Sequence, residues 1–417
     1  MPTTLPSELV YVLLIFALFV VPRFLQRFRL PAAVTSFGLG AAAGMGFGAF
    51  RDDPTIQILS TFGIVSLFLF AGLEVDLGEL RKESPVLIQH LIIRALLLAG
   101  ATWAAQQALG LEVRPAALLA LALFTPSTGF ILDSLAALDL TDRERFWIKS
   151  KAIATELVAL GVLFVTLQSV SAARFAISTL VLAALVLVLP LVFRTFARVV
   201  VPHAPKSEFA FLLMTAVLAA FATRKLGVYY LVGAFVVGLT AQRFREELPA
   251  MASERMLHAV EVFASFFVPF YFFNSGLHLR SEDVSAGALL LGLAFLVAVV
   301  PLQLLIVASH RWLMLREPFS RGIRIGASMA PTLVFTLVIA EILRDEFQIS
   351  PTIFGALIVY TLSDTLIPGF ALKLPPPEFE TPHATELELG PAGKSERAGP
   401  ADKETAQDGF GDILNTK

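Results

Sequence analysis

The sequence predicts an all-α polytopic membrane protein with about 13 transmembrane helices, and three observations carry that expectation. Hydrophobic residues make up 56% of the 417 and charged residues only 16%, against roughly 25% charged in an ordinary soluble domain. A new apolar run of spanning length begins every ~25 residues. Arginine and lysine gather in alternate connections between those runs. With no cysteine, a disulfide frame, a thiol nucleophile and an iron-sulfur cluster are excluded, and six scattered histidines come close to excluding zinc catalysis. A net charge of -2 with dispersed bases leaves no footprint for nucleic acid. The bilayer is the partner, and the pattern implies neither a cofactor nor an enzyme.

A ruler of about 20 apolar residues per crossing places spans near 8–22, 31–49, 55–73, 85–109, 114–138, 147–169, 175–193, 207–223, 227–242, 257–279, 285–309, 322–343 and 351–372. The first carries Glu8 but no basic leader and no small-residue cleavage site, so it reads as a retained helix. One set of connections holds nineteen bases, among them Arg23, Arg27, Arg81, Lys82, Lys149, Lys151, Arg311 and Arg324. The other set holds seven: Arg51, Arg114, Arg174, Arg224, Lys225, Arg280 and Arg344. The positive-inside bias then predicts an external N-terminus and a cytoplasmic C-terminus. Residues 1–373 form the membrane domain, and 374–417, with nine acids and four bases, read as a disordered cytoplasmic tail.

Two pairs of motifs share one offset. FLFAGLEVDL at the end of the third span and YFFNSGLHL at the end of the tenth place Gly72 and Gly276 204 residues apart. Thr125-Pro126-Ser127-Thr128 in the fifth span and Ala330-Pro331-Thr332 in the twelfth place Pro126 and Pro331 205 apart. The offset covers seven helices, an odd number, so the second copy is inverted relative to the first. Inverted repeats with proline-interrupted helices at matching positions point to a secondary transporter whose site lies where the broken helices cross at the midplane.

Intramembrane ionisable groups are the functional candidates. Glu156 lies about nine residues into WIKSKAIATELVALGVLFV, roughly 13.5 Å deep, near the centre of the hydrocarbon layer. Thr155 beside it offers a hydroxyl, to a cation or to its own helix. The breaks at Pro126 and Pro331 free backbone carbonyls and expose helix-dipole ends of opposite sign near Glu156. Thr125, Ser127, Thr128 and Thr332 complete an oxygen-only set that suits a hard monovalent cation. Asp364 is the second intramembrane acid, and Arg94 the one intramembrane base, a counter-ion for Asp364 or Glu156. Asp133, Glu261 and Glu341 lie near span ends; Glu74 and Asp76 sit at a helix end as solvated or loop-pairing acids. His90, His258, His278 and His310 show no metal-ligand spacing.

These residues resemble the second branch of the monovalent cation:proton antiporter superfamily, which includes sodium/proton exchangers and Kef-type potassium efflux systems. GIVSLFLFAGLEVDLGELRK in the third span is similar to that branch's signature, and AIATELVAL in the sixth aligns with its acidic-pair helix, placing Thr155 and Glu156 on the pair. LVGAFVVGL at 231–239 and FVPFYFFNSGL at 267–277 also fit. The resemblance implies an antiporter fold with crossed discontinuous helices, a panel of spans 1–3 and 8–10, a core of spans 4–6 and 11–13 that moves as an elevator, and a homodimer in the inner membrane. It departs in three places. The family's usual aspartate is Glu156, no base stands near Pro301 to Gln303 where electrogenic members carry lysine, and Thr332-Leu333-Val334 replaces an Arg-Gly-Glu found in many members. The expectation is electroneutral exchange of a monovalent cation, sodium or potassium, for protons. Transport of another solute on the same fold, or a non-transporting sensor or scaffold, are the alternatives.

Overall fold

The computed structural model describes residues 7–48, 50–75, 78, 84–135, 140–225, 227, 230–244 and 253–371. The tail expected over 374–417, and Asp76, lie outside the described residues, as does the side chain of Asp133. In chain order the helices are α1 (Ser7–Gln26), α2 (Ala32–Ala41, continued as a π-helix over Ala42–Phe47), α3 (Pro54–Leu73), α4 (Ser84–Leu109), α5 (Val113–Phe124), α6 (Thr128–Leu135) and α7 (Asp142–Gln168). They continue with α8 (Ala172–Thr195, then a π-helix over Phe196–Val200), α9 (Glu208–Lys225), α10 (Tyr230–Arg243) and α11 (Glu254–Leu277). The last four are α12 (Ala286–Leu315), α13 (Phe319–Ser328), α14 (Leu333–Phe347) and α15 (Pro351–Ala371).

Each of the thirteen expected segments coincides with one helix or with one of the broken pairs α5–α6 and α13–α14. Among the described residues nine segments are long and apolar enough to cross a membrane, and α13 with α14, bent by 53°, makes a tenth. The shortfall has a physical reason. α2 and α10 are short apolar helices, and the 18-residue α9 carries Glu208, Arg224 and Lys225.

Helix starts follow local chemistry. Asp53 caps α3, accepting from the Thr55 amide at 2.8 Å and the Ile56 amide at 3.1 Å, with Pro54 at the first helical position. Thr141 and Glu144 form a capping box that starts α7 at Asp142. That start corrects the charge distribution read from the sequence. Lys149 and Lys151 belong to α7 and Arg311 to α12 rather than to connections, and Lys151 and Arg311 are buried.

The centre of the bundle is built on close backbone contact. A Cβ added at Gly72 of α3 would lie 2.3 Å from the Phe235 carbonyl oxygen of α10, and one at Gly276 of α11 would lie 2.1 Å from the Phe37 carbonyl oxygen of α2. Likewise Gly238 meets the Leu69 carbonyl at 2.3 Å and Gly40 meets that of Phe273 at 2.0 Å. Gly72 and Leu69 become Gly276 and Phe273 on adding 204, while Phe37 and Gly40 become Phe235 and Gly238 on adding 198. Each contact therefore recurs with the two halves exchanged. Small residues are what let helices approach this closely where lipid supplies no hydrophobic drive.

Candidate cation and proton site

α7 carries Glu156 at its middle, 14 residues from Asp142 and 12 from Gln168. The side chain is 3% exposed. It borders a small cavity of about 10 Å³, near the smallest space that holds a water. Ser127, Thr128, Val334 and Phe335 line that cavity from the two breaks, and Leu67 and Phe68 line it from α3. Thr128 opens α6 and Val334 lies in the first turn of α14, so two helix N-termini bring partial positive charge towards the carboxylate. Glu156 Oε2 and Thr128 Oγ1 are both buried and make no hydrogen bond of close geometry, and the Thr128 hydroxyl and amide are the donors that face the carboxylate. An acid with so few close donors is costly in a low-dielectric interior.

Both expected breaks are present, and they touch. The chain leaves helical geometry at 125–127 and at 329–332. Across the crossing, the Ser127 amide donates to the Pro331 carbonyl at 2.8 Å. Ser127 Oγ accepts from the amides of Val334 at 3.0 Å and Phe335 at 3.4 Å, so the side chain of one break caps the helix that leaves the other.

The carbonyls freed by the first break are occupied by side chains. Thr336 Oγ1 lies 2.6 Å from the Ala122 carbonyl oxygen; Tyr360 and Gln303 donate to that of Leu123 at 2.7 and 3.0 Å; Arg94 Nη1 donates to that of Phe124 at 3.3 Å. The negative end of α5 is thus sealed by donors from α14, α15, α12 and α4. The cavity is bordered by two positive ends rather than by the opposite pair the sequence suggested.

The remaining candidates separate. Thr332 donates to Asp364 Oδ2 at 2.7 Å, which ties that fully buried acid to the second break, while the Thr365 hydroxyl, 3.1 Å from Oδ1, gives its proton to the Thr361 carbonyl at 2.6 Å. Arg94 makes no ion pair with Asp364 or Glu156 among the described residues. Its hydrogen bond goes to Phe124, and Nε and Nη2 have no partner. Thr155 donates back to the Lys151 carbonyl at 2.7 Å, the local bond that competes with ligation. Its oxygen therefore accepts from His90 Nε2 at 3.1 Å. Thr125 Oγ1 is buried and unpartnered in the first break, outside the cavity lining.

Sequence reasoning missed the neighbours of this site. Lys151, fully buried, lies 3.2 Å from His310 Nδ1, and the His90 and His310 rings are 6.2 Å apart. Arg311 pairs with Glu317 at 2.5 Å. Glu74 pairs with Lys149 across α3 and α7, the loop-pairing role expected of it.

The fold is that of a sodium proton antiporter. It is similar to the structure of the sodium proton antiporter MjNhaP1 from Methanocaldococcus jannaschii at pH 8, with a TM-score of 0.64 and 15% identity over 87% of this chain and 97% of that one. An electron-microscopy map of the same antiporter matches with a TM-score of 0.62 over 88% and 96% of the two chains, also at 15% identity. The profile of the transmembrane sodium/hydrogen exchanger family matches residues 13–375, and the chain belongs to that family. A protein of M. jannaschii described as "Probable Na(+)/H(+) antiporter 3" is 25% identical over 279 residues, covering 64% of this chain and 70% of the relative. The protein is thus a multi-pass membrane transporter of the sodium/proton antiporter class.

Proposed function

We propose that this chain exchanges a monovalent cation, sodium or potassium, for protons, and that Glu156 holds one or the other. The observation that carries the reading is the Glu156 carboxylate itself: buried at mid-helix, facing a water-sized cavity, with the Thr128 hydroxyl and amide as the donors turned towards it. A single carboxylate makes proton and cation mutually exclusive. Only with one of them bound is its charge neutralised for passage through a barrier that penalises a bare ion.

Thr128 and Ser127 are the nearest additional oxygens. Thr125 and Thr332 reach a cation only after the crossing rearranges, and Thr155 acts through its position beside the acid. Alternating access is a movement of the core, α4–α7 and α12–α15, against a panel of α1–α3 and α9–α11. The working unit is a homodimer in the inner membrane with the N-terminus outside and the C-terminus in the cytoplasm. Asp364 and Arg94 support the crossing from behind.

Glu156→Gln tests this directly, because it keeps size and hydrogen bonding and removes the charge. In proteoliposomes subjected to a pH jump, the wild type gives sodium- or potassium-dependent proton flux that choline does not replace. The folded variant gives none. Full cation-driven flux from Glu156→Gln overturns the assignment and leaves the acid a structural group.

A further inference from the structure

Five helix ends meet on one side of the bundle, well away from Glu156: the N-termini of α5 and α8 and the C-termini of α7, α9 and α14. They enclose a cavity of about 480 Å³ lined by Arg114, Arg174 and Arg224 together with Asp345, Glu346 and Phe347. The sparsely basic set of connections has seven bases, and three of them converge here.

Two of these arginines are held in place. Arg114 Nε donates to the Thr166 carbonyl at 2.9 Å and Nη2 to that of Leu167 at 3.3 Å, with the guanidinium 5.0 Å above the Phe347 ring. A guanidinium has five N–H donors in a planar fork, so donors remain for a ligand. Arg174 is placed by a glycine. Gly227 has φ +71°, and a Cβ there would lie 2.4 Å from Arg174 Nη2. The Gly227 carbonyl accepts from the buried Gln168 Nε2 at 2.8 Å, and Gln168 Oε1 accepts from Ser178 at 2.8 Å. The turn that makes room for Arg174 is therefore anchored to α7 and α8.

Planar arginine forks match phosphate oxygens. The carboxylates of Asp345 and Glu346 call for a compact ammonium that can donate hydrogen bonds. Helix ends in a membrane bundle lie at the headgroup level, and the volume falls in the range of about 300–1,000 Å³ usual for small-molecule sites. We propose that this cavity binds the phosphoethanolamine headgroup of a zwitterionic phospholipid, phosphate on the arginines and ammonium on Asp345 and Glu346. An anionic headgroup without the ammonium faces both carboxylates uncompensated, and a choline headgroup offers them methyl groups in place of N–H donors. The walls include α7, which carries Glu156, and α14, whose first turn borders its cavity, so the bound headgroup ties the far ends of these two helices to α5, α8 and α9.

The test uses the purified, delipidated full-length protein in detergent, with native mass spectrometry and thermal midpoints read after adding back single components. Phosphatidylethanolamine is expected to be retained and to raise the midpoint, more than phosphatidylglycerol or phosphatidylcholine does. Inorganic phosphate and free phosphoethanolamine at the same concentration are expected to leave the midpoint unchanged, because they lack the acyl anchor. Arg174→Gln, which loses charge-assisted hydrogen bonds, is expected to bind phosphatidylethanolamine roughly tenfold more weakly. Gly227→Ala, which keeps every charge but displaces Arg174, and Arg224→Gln carry the same expectation, so failure of one variant to fold leaves the test intact. Equal or stronger retention of phosphatidylglycerol, a midpoint shift reproduced by inorganic phosphate, or unchanged phosphatidylethanolamine binding in the folded variants overturns the proposal. None of these outcomes depends on Glu156 or on transport.

Discussion

At Ser127 one side chain accepts two amides of the opposite break while its own amide donates to Pro331. The residue thereby fixes how two helix ends face Glu156. Its neighbours show why candidate ligands could be named from the sequence but not assigned. Thr155 and Thr332 are hydroxyls at the right positions, yet one returns to the Lys151 carbonyl four residues back and the other serves Asp364, 32 residues on. Hydroxyl direction depends on partners that sequence spacing does not reveal. Glu156 was legible because a carboxylate at mid-span is rare and costly. The Lys151–His310 contact was not, because it joins residues 159 apart. At the helix start outside the membrane, burial alone would push the Asp53 carboxyl up, but hydrogen bonds from Tyr11 and from the Ile56 and Thr55 amides outweigh it and hold it below its ordinary value. A lowered folded-state value means that the stabilisation is complete above the ordinary carboxylate range and is lost as pH falls through the folded value. Thermal midpoints of the wild type and Asp53→Asn, which keeps a capping side chain, should therefore differ at pH 7 and converge as pH drops below about 4. A gap that stays constant with pH would show that the carboxylate charge contributes nothing.

Among the elements, the broken helices were the most legible. Proline inside an apolar run removes an amide and clashes with the preceding turn, and the matching offset of 205 singled out Pro126 and Pro331. What the sequence could not show is that the carbonyls released at α5 are taken by Thr336, Tyr360, Gln303 and Arg94, drawn from four helices. Nor did the length ruler separate short helices from full crossings. α2 and α10 match expected spans in position but are short, and both are the helices against which Gly276 and Gly72 pack. Those glycines make the packing testable. Gly72→Val places its Cβ 2.3 Å from a backbone oxygen that cannot move independently of α10, and Gly276→Val meets the same obstacle at 2.1 Å on α2. Each should destabilise the folded protein by about 1–3 kcal/mol, the usual range for overpacking, read as a lowered thermal midpoint in detergent. Gly100→Val, with nothing within 4 Å of its Cβ, should be close to neutral. A Gly72→Val midpoint equal to that of Gly100→Val would refute the reciprocal packing.

For the whole molecule, the composition and recurrence of apolar runs identified a membrane bundle, and the third- and sixth-span motifs indicated the family to which the chain belongs. The stoichiometry of exchange follows from how many groups titrate during transport. If Glu156 alone exchanges, one proton moves against one monovalent cation, and a cation jump on a solid-supported membrane should evoke no steady transport current. A current that grows with the proton gradient would bring in a second titrating group, Asp364 or the buried Lys151. The central claim is that proton and cation compete for one carboxylate, and counting protons tests it most directly. Purified protein in weakly buffered detergent solution, proton-loaded at moderately acidic pH, is titrated with sodium or potassium while a pH indicator reports release. The wild type should release about one proton per protomer as the cation saturates, as mutually exclusive ligands on one carboxylate require, and Glu156→Gln should release none. Cation binding without proton release in the wild type, or the same release from Glu156→Gln, would contradict it.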